Sequence, residues 1–162
     1  MSGSVLQSGN VTPGHLASWT TDGVIQDAGV TFTNTYGLFQ STVQQINFNS
    51  TNTDNPIPIN LPAGYTQYRI DRILLSGATA SLSTATCGVF TQTAAAGTAV
   101  VTTGTAITVT QTAGDTNNNL QSFTINNQNT LAFIDTTLFF RVQNPQGSPA
   151  LGNVTIFYQP LP

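Results

Sequence analysis

From residue 30 onward, apolar residues return at every second position in short runs broken by Gly, Pro, Asn and Thr, the period of half-buried strands. Val30-Thr31-Phe32-Thr33-Asn34-Thr35-Tyr36 alternates in this way, and Val43 to Phe48 follows it. Pro56, Pro58 and Pro62 exclude a central strand between 55 and 63, so that stretch reads as a loop or a sheet edge. Tyr65 to Leu75 carries the strongest strand signal. Tyr68, Ile70, Arg72 and Leu74 share one parity, and Arg69, Asp71, Ile73 and Leu75 the other. Neither face is purely apolar, so the strand is either buried on both sides or changes register at a bulge. Arg69 and Asp71, two residues apart on one face, are placed for a local ion pair.

Further runs follow at Gly88–Gln92, Ala99–Thr103, Ile107–Gln111, Leu120–Ile125, Leu131–Asp135, Leu138–Gln143 and Gly152–Gln159, before Pro160 and Pro162 end the pattern. No stretch has the helical period. Ala94-Ala95-Ala96, flanked by threonines and Gly97, reads as a loop. Many short strands separated by turn residues indicate an all-β sandwich or barrel, and a single β-sandwich is the expectation. A jelly roll of two four-stranded sheets fits the number of runs, although strand order is not readable from them. Residues 1–29 differ: glycine recurs at 3, 9, 14, 23 and 29, and the apolar residues are isolated. This segment reads as an extended N-terminal arm leading into a sandwich domain of residues 30–162, with Leu16, Trp19, Val24 and Ile25 as its anchors. A tryptophan in so polar a segment needs a surface to cover it, on its own domain or on a neighbour.

Composition changes the picture in one respect. The hydrophobic fraction of 39% is ordinary, and 162 residues can enclose a core without disulfide or metal staples. The charged fraction is only 6%, supplied by three arginines and six aspartates, with no lysine or glutamate. Average soluble domains carry about 25%. Threonine, asparagine, glutamine and serine stand where charge usually stands, and near-neutral surfaces tend to associate. A net charge of −3 offers no basic patch for nucleic acid or an anionic membrane. No window approaches the roughly 18 apolar residues of a membrane span. The N-terminus lacks the pattern of a secretory signal, which leads to the expectation of a chain that starts in the cytoplasm where it is made.

Candidate chemistry is sparse. His15 is the only histidine and lies in the arm, where nothing predicts the rigid support that a catalytic base needs. Cys87 is the only cysteine, has no partner for an intrachain bridge, and reads as a small buried hydrophobe. One histidine and one cysteine far apart do not make a zinc site. Asp115-Thr116-Asn117-Asn118-Asn119 gathers oxygen ligands but lacks the glycine and closing glutamate of a calcium loop. The other aspartates, Asp22, Asp27, Asp54, Asp71 and Asp135, are scattered, with no pair suggesting a glycosidase cleft. Phosphate-binding glycine motifs are absent. The expectation is a non-enzymatic protein without metal or cofactor. Tyr36, Tyr65 and Tyr158 could stack on sugars if exposed, or serve as half-buried core aromatics.

The segment from Ser8 to Gly29 carries Val11-Thr12-Pro13-Gly14-His15-Leu16-Ala17, then Trp19, then Gly23-Val24-Ile25 and Asp27-Ala28-Gly29. It resembles a segment near the start of many structural proteins of tailed bacteriophages and prophages. Tyr68-Arg69-Ile70-Asp71-Arg72-Ile73, Cys87-Gly88-Val89-Phe90 and Phe139-Phe140-Arg141-Val142 are similar to the sandwich that often follows, with Cys87 standing where a smaller residue is expected. The resemblance implies a virion component. The chain length and the single compact domain suit a capsid decoration (cement) protein on the head surface, with the major capsid protein as partner and self-association, expected as a homotrimer. Val11, Pro13, His15, Leu16, Trp19, Val24 and Ile25 are then the arm residues that bind the partner. A head-fibre or tail-associated receptor-binding module is the alternative.

Overall fold

A computed structural model describes residues 38–110, 120–126 and 132–161, together with the backbone of three short segments nearer the N-terminus. The chain divides into two compact units, residues 1–37 and residues 38–162. In the first unit, β1 (Leu6–Gln7), β2 (His15–Trp19) and β3 (Val24–Thr31) form a three-stranded sheet in the order β1-β3-β2. The isolated apolar residues here predict extended backbone but give no sign that these segments pair with one another. β3 runs across residue 29, where the arm was expected to end, and the division between units falls after Gly37. Of the strand expected at Val30–Tyr36, residues 32–36 lie outside the described residues, as do the Asp115–Asn119 loop, Gln111 and Leu131.

The second unit is a β-sandwich. Its strands are β4 (Phe39–Asn47), β5 (Asp54–Pro58), β6 (Gln67–Ser76), β7 (Thr86–Phe90), β8 (Ala99–Ala106), β9 (Gln121–Phe123), β10 (Thr137–Asn144) and β11 (Leu151–Leu161). One four-stranded sheet has the order β4-β11-β6-β9 and the other β5-β10-β7-β8. Every pairing in both is antiparallel. The pairs nest: β4 with β11, β5 with β10, β6 with β9, and β7 with β8. A long antiparallel ribbon folded over on itself produces this nesting, and each sheet takes alternate strands of the ribbon. This is the jelly roll.

Breaks in the alternation coincide with bulges. In β6, Phe157 pairs with Arg72 but Tyr158 pairs with Ile70, leaving Asp71 as the extra residue. Asp71 and Arg72 therefore both reach solvent, and the inward set changes from Tyr68 and Ile70 to Ile73 and Leu75. Of the two sequence-based alternatives, the bulge is the one realised. Arg72 sits 4.4 Å over the Phe157 ring and 3.9 Å from Asp71, while Arg69 bonds Gln159 at 3.0 Å. β4 makes a similar adjustment at Gln45, which takes a left-handed φ of 57° and whose N–H donates to Asn153 Oδ1.

The prolines obey the same logic. β5 is an edge strand, and its neighbour Ile59 donates its N–H to Thr136. Alternation then turns the nitrogens of Pro56 and Pro58 away from β10, so neither removes a ladder bond and both blunt the free edge. Pro160 does not end β11. It faces Tyr68, whose own N–H and C=O are engaged by Phe133, and the pairing of β11 with β4 stops at Tyr158–Phe39. Two other expectations shift in extent. The run from Ala99 continues to Ala106, and Ile107 and Val109 are buried without joining a strand. Among the described residues 132–135, Phe133 alone pairs, as a single bridge to Tyr68.

The core lies between the sheets. Phe140 of β10 packs against Phe48 and Phe123, with ring centroids 5.8 and 6.2 Å apart. At one end a chain of rings runs from Phe39 through Tyr158 and Tyr68 to Phe133. Amide side chains join the two sheets along the β8–β9 side. Gln121 Nε2 donates to Ala106 O, and its Oε1 accepts from the Thr108 N–H. Asn126 donates through its backbone to Val100 O and through Nδ2 to Ala99 O, and accepts from Thr102 Oγ1.

Two stability measurements follow from this packing. Asn126→Ala should lower the free energy of unfolding by about 2 kcal/mol, because it strips partners from Ala99 and Thr102 together; urea unfolding measures it, and an unchanged midpoint would refute the stitching role. The Tyr68 hydroxyl is buried without a hydrogen-bond partner among the described residues. Tyr68→Phe removes that desolvated group and should raise stability by about 1 kcal/mol in the same assay.

Candidate interaction sites

The backbone register of the first unit brings some of the expected arm residues together. β2 and β3 run antiparallel, with Trp19 opposite Ile25 and His15 opposite Thr31. β1 runs parallel to β3 on its other side, with Leu6 opposite Val24 and Gln7 opposite Ile25. Gln7, Ile25 and Trp19 thus occupy one row across the three strands. Leu16 lies on β2. Val11 and Pro13 lie outside the described residues.

In the sandwich, the outer face of the β5 sheet carries a second feature. Inward residues of β10 are Leu138, Phe140 and Val142, so Phe139 and Arg141 face outward. Their partners on β7 are Phe90 and Gly88. Phe90 is buried although it lies outside the core between the sheets, because its ring folds over Gly88. A Cβ at Gly88 would come within 2.6 Å of that ring. The loop from Thr91 to Thr98 is tied at its ends by Thr91 N–H to Thr98 O and Thr98 N–H to Thr91 Oγ1. At its tip, Thr93-Ala94-Ala95-Ala96 forms a tight turn closed by Ala96 N–H to Thr93 O, with φ of 58° at Ala94 and 61° at Ala95. Positive φ at both central residues is the type I′ geometry that glycine and asparagine adopt most easily. Asp54 holds the turn: its Oδ2 accepts the Ala94 N–H at 2.9 Å and its Oδ1 accepts Arg141 Nη1 at 2.7 Å. Both charged side chains are largely shielded from water. The arrangement accounts for Asp54 and Arg141 as structural groups.

A third feature is a groove of about 590 Å³ at the end of the sandwich, between the segment after β5 and the segment before β10. Ile59, Asn60, Leu61, Tyr65, Thr66, Ile134 and Thr136 line it. The pairing of Tyr68 with Phe133, together with Ile59 N–H to Thr136 O at 2.8 Å, brings the two walls together. Asn60 is clamped from beneath. The Tyr158 hydroxyl accepts its N–H and donates to its C=O, each at 3.1 Å. Tyr158 is therefore a core aromatic with a fixed hydroxyl, Tyr65 is half-buried on the groove, and Tyr36 lies outside the described residues. Ile134 is 70% exposed, the most exposed large apolar side chain among the described residues.

The titratable groups have plain physical roles. Burial pushes the Cys87 thiol up to about 12, so at neutral pH it stays protonated among core side chains. Burial raises the Tyr68 hydroxyl too, with smaller contributions from Asp135 and Tyr158. Among the described residues, no group of three or more His, Cys, Asp or Glu side chains is placed to hold a metal ion.

Sequence reasoning singled out Tyr65 but missed Asn60, Thr66, Ile134 and Thr136. Ile134 sits in an apolar run that reads as a strand, and only the long-range pairing of Phe133 with Tyr68 turns it to solvent beside Tyr65. No protein-family model, curated protein or solved structure matches this chain.

The Asp54 arrangement is testable. Asp54→Ala should cost about 2–3 kcal/mol, since it strands the Arg141 guanidinium and the Ala94 N–H together. Hydrogen exchange at Ala94 should accelerate more than at Val89, deep in β7. Equal acceleration at both amides would mean that Asp54 supports the sheet as a whole and not the loop.

Proposed function

We propose that this chain is a bacteriophage capsid decoration protein, non-enzymatic, that binds and stabilises the head shell. The observation that carries the reading is the division of the chain into two units. The segment that resembles phage structural proteins, Ser8 to Gly29, lies wholly within a compact unit of its own, and the jelly roll is complete without it. In this reading the first unit engages the major capsid protein and the sandwich supplies a fold of its own. Leu16, Trp19, Val24 and Ile25 are the proposed docking residues, and the register sets two of them, Trp19 and Ile25, opposite each other on β2 and β3. Binding through such a segment gives a large contact area from a small body, and many copies on one shell add avidity. The scarcity of charge suits a protein that works within an assembly, including self-association as a homotrimer.

The test is truncation at the unit boundary. Removal of residues 1–37, rather than 1–29, avoids cutting through β3. The truncated protein is expected to keep its β-type circular dichroism and cooperative unfolding, yet fail to bind capsids that lack the protein. Binding at full occupancy without residues 1–37 would overturn the attachment role. Immunogold label confined to the tail or one vertex would favour a head-fibre or tail-associated module instead.

A further inference from the structure

We propose that the groove between Tyr65 and Ile134 is a binding site for a neutral saccharide. This inference concerns the sandwich alone and does not rest on the capsid-attachment reading.

Three observations carry it. The first is the chemistry of the lining. The groove offers the Tyr65 ring and the Ile134 side chain beside the amide of Asn60 and the hydroxyls of Thr66 and Thr136, and among the described residues none of its lining side chains is charged. A ligand matched to it needs apolar C–H faces for the ring and the isoleucine, and uncharged hydrogen-bonding groups for the amide and hydroxyls. A neutral sugar presents both on each ring. An anionic sugar or phosphate would find no cation in the lining to offset its desolvation.

The second is size. At about 590 Å³ the groove falls within the range of small-ligand clefts. It is open on one side, which suits a chain of sugar rings better than an enclosed small molecule.

The third is rigidity. Both backbone groups of Asn60 are held by the Tyr158 hydroxyl, and that ring packs edge-on against Tyr68, which stacks on Phe133 one residue before Ile134. The two walls therefore share one aromatic support, and little ordering remains to be done on binding. An exposed isoleucine on so firm a frame is not needed for folding; at 70% exposure its side chain contributes little to the core.

The experiment uses the full chain, labelled with nitrogen-15, titrated with three probes: neutral glucose-, galactose- and mannose-based oligosaccharides, an anionic uronate oligosaccharide, and a short apolar peptide. The expected result is saturable shifting of the Thr66, Ile134 and Thr136 amides by at least one neutral oligosaccharide at millimolar concentration, with saturation transfer to its ring protons. Tyr65→Ala should weaken that binding about tenfold, the scale of a lost aromatic contact. Because Tyr65 is half-buried, Ile134→Ser provides the second variant. It alters an exposed side chain, should leave the unfolding midpoint unchanged, and should still weaken binding several-fold. Silence from every neutral oligosaccharide overturns the proposal, as does binding by the uronate or the peptide alone, or shifts confined to residues away from the groove.

Discussion

The sandwich depends on what Phe140 touches. Its ring is the place where the two sheets meet, against Phe48 at the end of β4 and Phe123 in the short β9. That contact sets the parity of β10: with Phe140 inward, Leu138 and Val142 are inward too, and Phe139 and Arg141 must face out. Everything on the outer face of that sheet then follows. Arg141 stands beside Asp54 of the neighbouring edge strand, and Asp54 in turn reaches the Ala94 amide and holds a turn whose two alanines adopt a conformation they resist. A left-handed residue other than glycine costs about 1–2 kcal/mol. Two such alanines double that cost, and the two charge-assisted hydrogen bonds of Asp54 oppose it.

The unusual composition has a structural use beyond the surface. In most domains charged groups cover loops and edges. Here amides and hydroxyls perform that task, and many of them are directed at the backbone. Gln121 and Asn126 join the β8 and β9 edges, Gln146 and Thr84 bind each other's loop, Asn55 Nδ2 reaches Phe140 O, and Gln143 Oε1 accepts the N–H of Gly104 at a bulge in β8. An amide both donates and accepts, so it can satisfy a strand edge without a counter-ion and without the desolvation cost of an ionised group. Such bonds also have no dependence on the titration of the side chain. The near absence of charge thus goes with loops that are tied by neutral hydrogen bonds.

The period-two pattern made the class of fold legible, and several local details with it. The mixed faces of the Tyr65–Leu75 run required a bulge or double burial, and the bulge stands at Asp71. The prolines at 56 and 58 left a loop or a sheet edge, and β5 is an edge. Topology was not legible, because nesting of β4 with β11 and β5 with β10 is a matter of contacts between distant residues that no local period records. Pro160 misled for the same reason: its harmlessness depends on the Tyr68–Phe133 bridge and on where β4 stops. The groove was half legible. Tyr65 was a candidate for stacking on sugars, although it read as the start of a strand that begins at Gln67, and Asn60 and Thr136 carry no signal of their own. They become neighbours through the same bridge.

That bridge makes the core and the groove one structure. Tyr158 fills the inner face of the β4 sheet and, through its hydroxyl, fixes Asn60 at the rim; Tyr68 packs between Tyr158 and Phe133, next to the exposed Ile134. Packing that closes the end of the sandwich therefore also preorganises the surface above it. A site made this way, with no charge among its described lining residues, has dispersion, stacking and neutral hydrogen bonds to bind with, and these give weak single-site affinity. Weak sites are useful where many copies face a surface that also repeats its ligand, since linked binding multiplies affinity without new contacts. A protein displayed on a particle in many copies meets that condition. The rigid, uncharged groove and the proposed place in an assembly are consistent on this physical ground, although each stands on its own residues.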